Sequence, residues 1–578
     1  MKKIITEIYK LISLSDFTNF LLLLLLLIFN AIFEVISIGS IIPVYKSIID
    51  PGFFQSYKNY YFQNIIDYFS LFSSKEQIIL ASLFFIIIFL FKTILNIVTI
   101  KYNLFLIANL KIRISLAIFK EYATKDYYFF IQNSSSTLVT SLVKEVSEFC
   151  DRFLYSILNI VLELLTIFFI IFFLIYIDLF QSILVFVFFG FAFFIYNILV
   201  RKTLKESAKH RQDMDFKKYS ILNNFFKSVK EIKSNQAELY FFKMFDKSVA
   251  LFEKVFSKFL FIQIISKPFF EFFILLALVV FFIFKILYNQ NLPDIFFSIS
   301  ILFLSAFRGV PCLFRLANAY SNMKFSLPSA NILLSQIKLI NKNEKYKNFF
   351  LKKNFYVFNE EIYFQNVSFR YPGSSDNILQ DLNFKLIKGQ KICIVGKSGS
   401  GKSTFIDLLL GLLKPTNGKI LIDGIDINNN MNANTLISAS YIPQESFLLE
   451  DTIENNILLS DENLNKNKFK EAMRLSELNS FVESLPLKEK TFVGESGNKF
   501  SGGQKQRISI ARSFYNDKDI IIFDEPLNAL EAETKKIIFD NIFKYFKDRT
   551  IIFILHDKTF LDSFDYCYQI ENKNINKL

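Results

Sequence analysis

Six long apolar runs constrain the fold of this chain more than any other feature. They cover roughly residues 20–45, 78–108, 153–177, 179–200, 259–288 and 295–320. A bilayer core about 30 Å thick needs about 20 residues of apolar helix, and each run reaches that length. Backbone polar groups in lipid must be paired within their own segment, which favours helices. The runs therefore predict an all-α domain of six transmembrane helices over residues 1–335, in a multi-pass membrane protein.

The distribution of Lys and Arg between the loops predicts the orientation of these helices. Loop 46–77 carries three basic residues, loop 109–152 carries six, loop 201–258 carries fourteen, and the short connection 289–294 carries none. Cytoplasmic loops collect Lys and Arg. We therefore expect the two long basic loops, both termini and the C-terminal domain in the cytoplasm, below the inner (plasma) membrane of a bacterium. The net charge of +13 is attributed to this topology rather than to nucleic-acid binding.

Two more segments are predicted to lie at the membrane surface. Residues 1–16 form a short, basic, amphipathic segment, for which a secretory signal is the alternative. The next apolar run is too long for a signal core, so an interfacial helix is favoured. Residues 51–74 are aromatic and mildly amphipathic, which favours a helix on the outer interface over a plain aromatic loop.

The pattern changes after a polar linker, predicted at residues 336–356. From residue 357 to 578, short β-rich runs alternate with helical ones, which predicts an α/β domain with a parallel sheet. The runs are EIYFQNVSF, QKICIVG, KILIDG, IIIFDE and TIIFIL. The four cysteines are far apart and form no metal or disulfide motif. The predicted fold is thus two-part, a six-helix membrane domain followed by an α/β P-loop domain.

A glycine-rich loop follows the strand KICIVG and precedes a predicted helix. Its residues are Gly396, Lys397, Ser398, Gly399, Ser400, Gly401, Lys402, Ser403 and Thr404, and they fit the pattern GxxxxGK[ST]. Such a loop curls so that its N–H groups and the helix N-terminus hold phosphate. We expect Lys402 to reach the β- and γ-phosphates of ATP and the Ser403 hydroxyl to ligate Mg²⁺.

Two adjacent carboxylates end a second buried strand. The apolar residues 520–523 precede Asp524 and Glu525, and buried carboxylates are costly unless they have a function. We expect Asp524 to hold Mg²⁺ through water and Glu525 to polarise the water that attacks the γ-phosphate. The alternative is a pair of acids that caps a helix.

The segment between these motifs carries a family resemblance. Residues 491–507 read TFVGESGNKFSGGQKQR, which resembles the signature of ATP-binding-cassette (ABC) proteins and, in its first part, their exporter branch. The resemblance implies that Ser501, Gly502, Gly503 and Gln504 meet a nucleotide bound to a partner subunit. By the same resemblance Tyr371 stacks on adenine and Gln444 links the metal site to the membrane domain. His556, on the same ground, contacts the γ-phosphate.

Three positions depart from the family pattern. Glu531 stands where exporters usually have Asp, Asp557 and Lys558 follow the histidine in place of Arg-Leu, and Phe500 replaces the usual Leu. The departures concern coupling and rate, because Lys402 and the two carboxylates are retained.

The whole chain is similar to a half-transporter of the type IV exporter class, which works as a homodimer or a heterodimer. Several details resemble flippases for lipid-linked oligosaccharides: the outer segment 51–74, the first-span residues Glu34, Ile38, Gly39 and Pro43, and the sixth-span run Arg308–Pro311 with Arg315. Phe269, where this pattern has Arg, departs from it. The resemblance implies ATP and Mg²⁺ as cofactors, a second half as partner, membrane lipid, and an amphipathic substrate, possibly lipid-linked saccharide. It also implies coupling by short helices near Asp126–Gln132 and Val229–Tyr240, docked near Gln444.

Three cations inside the predicted spans are candidates for substrate contact. Lys92, Arg308 and Arg315 lie at bilayer depth, where each cation costs roughly 2.5–3.5 kcal/mol. Arg308 and Arg315 are two helical turns apart on one face, which suggests an anion in the cavity between subunits. Pairing with Glu34, Glu163 or Glu271, or snorkelling to an interface, is the alternative.

Other functions remain open at this stage. Export of a peptide, a drug or a substrate like lipid A, and a channel or regulator built on an exporter frame, use the same architecture. A cassette ATPase of DNA repair or translation does not need six fused spans, and importers usually keep the cassette on a separate chain.

The predicted topology is testable by side-specific labelling. Single cysteines at Gln290 and Lys205, in a background without the four native cysteines, should react with an impermeant maleimide from opposite sides of the membrane. The reason is the contrast between loop 201–258, which carries fourteen basic residues, and the connection 289–294, which carries none. Labelling of both positions from one side would contradict the six-span arrangement.

Overall fold

The computed structural model of the chain describes residues 14–49, 72–177, 179–287, 292–340, 358–426, 437–459, 464–555 and 560–578. These residues divide into two compact units. The first holds residues up to Ala123 and from Asn133 to the end of the membrane helices, and the second holds Thr124–Gln132 with the C-terminal part. The segments predicted at membrane surfaces lie mostly outside the described residues, as do the linker from 341 onward and His556.

The first unit is helical. The short helix α4, Tyr127–Gln132, falls between its helices in the chain but belongs to the second unit. In chain order the helices are α1 Leu14–Gly39, α2 Ile41–Ile49, α3 Ser74–Ala123, α4 Tyr127–Gln132, α5 Ser135–Thr140, α6 Tyr155–Ile177, α7 Leu179–Lys227, α8 Val229–Ser234, α9 Glu238–Leu287, α10 Leu292–Phe325 and α11 Leu327–Ile340. Two π-helical turns, Ser141–Glu145 and Glu148–Leu154, lead into α6.

The six predicted spans fall on α1, α3, α6, α7, α9 and α10, which confirms a helical membrane domain. Five stretches within the described residues are long and apolar enough to cross a bilayer, and α10 covers the sixth predicted run. Large apolar side chains remain exposed on these helices, including Ile87 at 64% and Leu287 at 74%. A soluble fold would bury such contiguous apolar surface, whereas lipid accommodates it.

Three helices are much longer than a bilayer requires. Helices α3 and α9 contain 50 residues each and α7 contains 49. At 1.5 Å per residue each is about 75 Å long, more than twice the bilayer core of about 30 Å. These helices therefore extend beyond a bilayer core as stalks. Helices α4 and α8 are the short helices expected near Asp126–Gln132 and Val229–Tyr240.

A buried guanidinium lies between the stalks. Arg211 on α7 is 2% exposed, and its nitrogens lie 3.1 Å from a carboxylate oxygen of Glu148 and 2.8 Å from the Ser329 hydroxyl. The guanidinium also lies over the ring of Phe325, 5.3 Å from its centroid. Removal of one partner would leave an uncompensated buried charge, which costs about 3–5 kcal/mol. These contacts fix α7 against the π-helical turn and α11.

Within its described residues, the second unit contains ten strands and several helices. They are β1 Glu361–Phe369, β2 Leu379–Ile387, β3 Lys391–Val395, α12 Lys402–Leu409, β4 Asn417–Ile422, β5 Ile425–Asp426, β6 Ala439–Ile442, α13 Ile453–Leu458, α14 Lys466–Leu475, α15 Asn479–Glu483, α16 Gly502–Asn516, β7 Ile520–Asp524, α17 Ala532–Tyr545, β8 Thr550–Ile554, β9 Tyr566–Glu571 and β10 Asn574–Lys577.

Two sheets, rather than one, organise this unit. The larger has the order β10-β9-β3-β8-β7-β6 and is parallel except for the edge strand β10. The smaller has the order β2-β1-β4-β5 and is antiparallel. The α/β fold is thus confirmed, but the runs EIYFQNVSF and KILIDG belong to the antiparallel sheet. The loop from β1 to β2 is too short for the helical crossover that parallel strands need.

Candidate functional site

The glycine-rich loop connects β3 to α12 at the carboxyl edge of the parallel sheet. Gly401 has a φ of +103°, a left-handed conformation that favours glycine. A Cβ on Gly396 would lie 2.8 Å from the carbonyl oxygen of Ile570, so a side chain there would clash with backbone. These two positions require glycine for the loop to curl beneath the start of α12.

The side chains of the loop suit a phosphate group. The Lys402 Nζ donates hydrogen bonds to the carbonyl oxygens of Gly396 (2.8 Å) and Lys397 (3.0 Å), so its ammonium lies across the loop. Within the described residues, the buried Ser400 hydroxyl has no hydrogen-bond partner. The first N–H groups of α12 have no intrahelical acceptor. A cation, a free hydroxyl and free N–H groups together fit an anionic phosphate chain.

The two carboxylates lie on the same edge of the sheet. Strands β3 and β7 both pair in parallel with β8, so their carboxyl ends meet at one place. The Tyr441 hydroxyl donates to Asp524 Oδ2 at 3.0 Å. Burial and the charge of Asp524 raise the pKa of Tyr441, so this phenol stays a proton donor. Tyr441 therefore orients the carboxylate predicted to hold Mg²⁺.

Glu525 is held by two amide side chains. Gln444 Nε2 donates to Glu525 Oε2 at 2.8 Å, and Asn528 Nδ2 donates to the same oxygen at 2.7 Å. Glu525 is only 6% exposed and has a φ of +50°, which is uncommon for a residue with a Cβ. Such backbone strain is found where the surroundings over-determine a position, often at functional sites. The carboxylate is thus fixed in one orientation.

A third acidic residue modifies the electrostatics. Burial, and then the nearby charge of Asp524, raise the pKa of Asp407 to about 6. Asp407 lies on α12, just past the glycine-rich loop. Two carboxylates that repel each other favour a cation or a proton between them.

The signature segment forms the start of α16. Ser501 is the N-cap residue, and its hydroxyl accepts from the Gln504 N–H while the Gln504 side chain accepts from the Ser501 N–H. This capping box fixes the exposed helix N-terminus. A Cβ on Gly503 would lie 2.8 Å from the carbonyl oxygen of Ala529. Gly503 therefore lets α16 approach the loop that follows Glu525.

The remaining sequence-derived residues have defined places. Tyr371 packs edge-on against Phe369, with ring centroids 5.0 Å apart. Phe500 packs edge-on against Phe481 at 5.4 Å, which accounts for an aromatic ring where the family has Leu. Glu531 caps α17 by position but makes no side-chain cap hydrogen bond, as expected of a residue one methylene longer than Asp. The assigned roles of these residues in nucleotide binding stay predictions.

Sequence reasoning missed three site residues, namely Tyr441, Asn528 and Asp407. Tyr441 stands three residues before Gln444 and Asn528 three residues after Glu525, so both lie within a loop's reach of a recognised motif. Their spacing could have identified them. Asp407 carries no such signal, because only the fold brings α12 close to the end of β7.

The candidate substrate cations lie in the membrane unit. Lys92 Nζ is 2.5 Å from Glu34 Oε2, and Arg315 donates to both carboxylate oxygens of Glu163 at 2.5 and 3.0 Å. In the structure, these two cations are therefore paired with acidic residues, as the alternative interpretation of the sequence expected. The side chain of Arg308 lies outside the described residues.

The groups that the site offers to a metal ion are single oxygen donors rather than a cluster of acidic, histidine or cysteine side chains. Across the described ranges, no group of three or more His, Cys, Asp and Glu side chains could hold a metal ion. Ser403, Gln444 and Asp524 offer a hydroxyl, an amide and a carboxylate oxygen instead. This set of oxygen donors with one carboxylate suits Mg²⁺, which is usually bound through one or two carboxylates together with phosphate oxygens and water.

The raised pKa of Asp407 gives a testable pH dependence. When folding raises the pKa of a carboxyl group, the folded protein becomes less stable as the pH rises from about 4 to about 6, because the buried group must then ionise. Asp407→Asn should therefore raise the free energy of unfolding at pH 7.5 by about 1 kcal/mol, after allowance for solvent screening, and raise the melting temperature with it. The difference should shrink towards pH 4–5, as measured by thermal unfolding at several pH values. The exposed Asp540→Asn is the matched control, and an Asp407→Asn difference independent of pH would contradict the assignment.

Comparison with known proteins places these two units in a family. The model for the ABC transporter transmembrane region matches residues 51–309, and the ABC transporter model matches residues 379–528. A putative multidrug export ATP-binding/permease protein of Staphylococcus aureus is 38% identical over 210 residues, and the corresponding protein YgaD of Bacillus subtilis is 37% identical over 212. The matched region covers 36% of this chain and 36% of the first relative, and 37% of each in the second comparison.

The fold extends this likeness along the whole chain. A solved bacterial Atm1-family ABC exporter with ATP bound superposes with a TM-score of 0.75, over 96% of this chain and 94% of that one, at 20% sequence identity. The membrane region precedes the ATP-binding cassette in a single polypeptide. The chain therefore belongs to the ABC transporter family, as a multi-pass membrane protein in which an ABC transporter transmembrane region is followed by an ATP-binding cassette.

Proposed function

We propose that the chain is one half of an ATP-driven exporter that moves an amphipathic substrate out of the cytoplasm of a bacterium. The observation that carries this proposal is the pair of hydrogen bonds that fix Glu525 beside Gln444 and Asn528. A regulator or channel on the same frame would not need a buried, oriented carboxylate at this place. An exporter that hydrolyses ATP does need one.

Each group at the carboxyl edge of the sheet has a role in this proposal. Lys402 and the glycine-rich loop would bind the phosphates of ATP. Ser403, Gln444 and Asp524 would hold Mg²⁺, which supplies charge neutralisation on the phosphates. Glu525 would accept a hydrogen bond from the attacking water and orient it. Outside the described residues, His556 would contact the γ-phosphate, as the family resemblance implies.

Residues Thr124–Gln132 support coupling to the membrane helices. This segment belongs to the second unit, where Tyr128 packs against the core of the cassette. Burial, and then the nearby charge of Asp407 on α12, raise the pKa of Tyr127. The chain enters this segment from α3 and leaves it into α5. Movement of the site would thus be passed to two membrane-unit helices.

A second half completes the proposed site. The capped N-terminus of α16 exposes Ser501 and N–H groups suited to a γ-phosphate. In the proposed dimer this helix start faces the glycine-rich loop of the partner. A homodimer fits best, because one chain carries both the signature and Glu525, and a heterodimer would need the same surfaces.

Lipid-linked saccharide is the substrate class that we propose, on the resemblance of the first and sixth spans to flippases of such lipids. The names of the two relatives favour a second candidate, export of drug-like amphiphiles. Both classes are amphipathic, and both fit an exporter whose cavity opens among lipid-facing helices.

Hydrolysis is tested with three variants of the purified protein in nanodiscs. Glu525→Gln should lower kcat for ATP by about 10²–10⁴-fold with an ATP Kd within about threefold of wild type, because Glu525 acts on the attacking water. Lys402→Ala should weaken ATP binding at least about tenfold, because Lys402 makes charge-assisted contacts to phosphate. Asn528→Ala should lower kcat more than it raises KM, because Asn528 only orients Glu525.

The exposed Glu533→Gln on α17 is the matched control and should behave as wild type. Near-normal turnover in Glu525→Gln would show that Glu525 is not the catalytic base, and the proposed exporter function would lose its main support.

A further inference from the structure

A polar cavity lies among the helices of the membrane unit. Its volume is about 340 Å³, within the range of about 300–1,000 Å³ typical of small-ligand pockets. Residues of α1, α3, α6 and α10 line it. Elsewhere the exposed surface of these helices is mostly apolar, but many of the residues that line this cavity carry charges, amides or hydroxyls. Polar side chains at bilayer depth are costly and mark functional sites.

The charges that line the cavity cancel. Lys92 of α3 pairs with Glu34 of α1, and Arg315 of α10 makes a two-point pair with Glu163 of α6. Two cations and two anions give a formal charge of zero among the described lining residues. Both Lys92 and Glu163 are buried, at 8% and 2% exposure. Release of Arg315 to a ligand would leave the buried carboxylate of Glu163 uncompensated, and release of Lys92 would unpair Glu34, whose side chain is only 13% exposed, so both are unfavourable.

The remaining polar groups of the cavity are amides and hydroxyls. Asn30 donates to Asn96 at 3.1 Å across α1 and α3. Asn103, two turns along α3 from Asn96, is 5% exposed. Its Oδ1 is buried and has no hydrogen-bond partner within the described residues. An unsatisfied buried amide oxygen costs about 1–3 kcal/mol, which a hydroxyl or N–H donor on a ligand would recover.

We infer that this cavity binds the uncharged, hydroxyl-rich head group of an amphipathic substrate, such as the sugar of a glycolipid, and discriminates against anions. The inference rests on the proposed exporter function and names the part of the substrate that the membrane unit recognises. Hydroxyl groups donate to Asn103 Oδ1 and accept from amide N–H groups, so a sugar satisfies both kinds of partner. An anion offers acceptors only and leaves Asn103 unsatisfied.

Arg315 is the group that would favour an anion instead. Its side chain is 49% exposed, although both Nε and Nη2 are engaged by Glu163. The test must therefore set a sugar head group against an anionic one on an equal alkyl chain.

The experiment measures binding to the wild-type protein in phosphatidylcholine nanodiscs. Radiolabelled octyl glucoside is the probe, and octyl phosphate and octylphosphocholine are competitors, all below their micellar concentrations. We expect octyl glucoside to bind at least about tenfold more tightly than octyl phosphate. Asn103→Leu should weaken glucoside binding about tenfold, the equivalent of one lost hydrogen bond to a buried group.

Thr93→Val is the matched control, because Thr93 lies on the same helix but is exposed to lipid. If Asn103→Leu does not fold, Asn159→Leu, which lines the same cavity from α6, gives a second test. Tighter binding of octyl phosphate, or unchanged glucoside binding in the folded cavity variants, would overturn the inference. Glu525-dependent ATP hydrolysis is measured on the same samples, so failure of the cavity assignment and failure of the exporter function give different results.

Discussion

Charge burial in the membrane unit is the constraint that orders its helices. A single charge at the centre of a bilayer costs roughly 2.5–3.5 kcal/mol on insertion scales. Lys92 joins α3 to α1 and Arg315 joins α10 to α6, each through an acidic partner. Apolar packing alone gives little registration between helices, because lipid is as apolar as their side chains. The ion pairs supply it, and together they enclose a cavity that is polar but electrically neutral.

The cassette also buries a charge, at the end of β7, the strand next to the edge strand β6. Glu525 is buried and strained, and two amides satisfy its carboxylate. One amide, Gln444, follows the edge strand β6, and the other, Asn528, begins the loop that contacts the signature helix. A change at Glu525 therefore reaches both neighbours through direct hydrogen bonds. This is how a local chemical event can alter the surfaces on which a second half would dock.

The sequence predicted the architecture well because its strongest signals are local. Apolar length predicted the membrane helices, and the motifs around Lys402 and Asp524 predicted strand-loop-helix units that the structure contains. Strand pairing was predicted less well. The apolar runs of β1 and β4 resemble those of the parallel strands, but both strands belong to a separate antiparallel sheet. Partners brought together by the fold were the hardest to foresee. The pairing of Arg315 with Glu163 joins residues 152 positions apart, and no periodicity distinguishes it from an open anion site.

The most direct test of the account is whether ATP changes the side from which the membrane cavity is accessible. Thr99 lines the cavity, and Thr99→Cys replaces a branched side chain by an unbranched one of no greater size, so it can report access to an impermeant thiol reagent. We predict that, in a background without the native cysteines, Thr99→Cys reacts from the cytoplasmic side without nucleotide. With ATP in the Glu525→Gln variant, it should react from the outer side. Labelling from the same side in both conditions would contradict ATP-driven export.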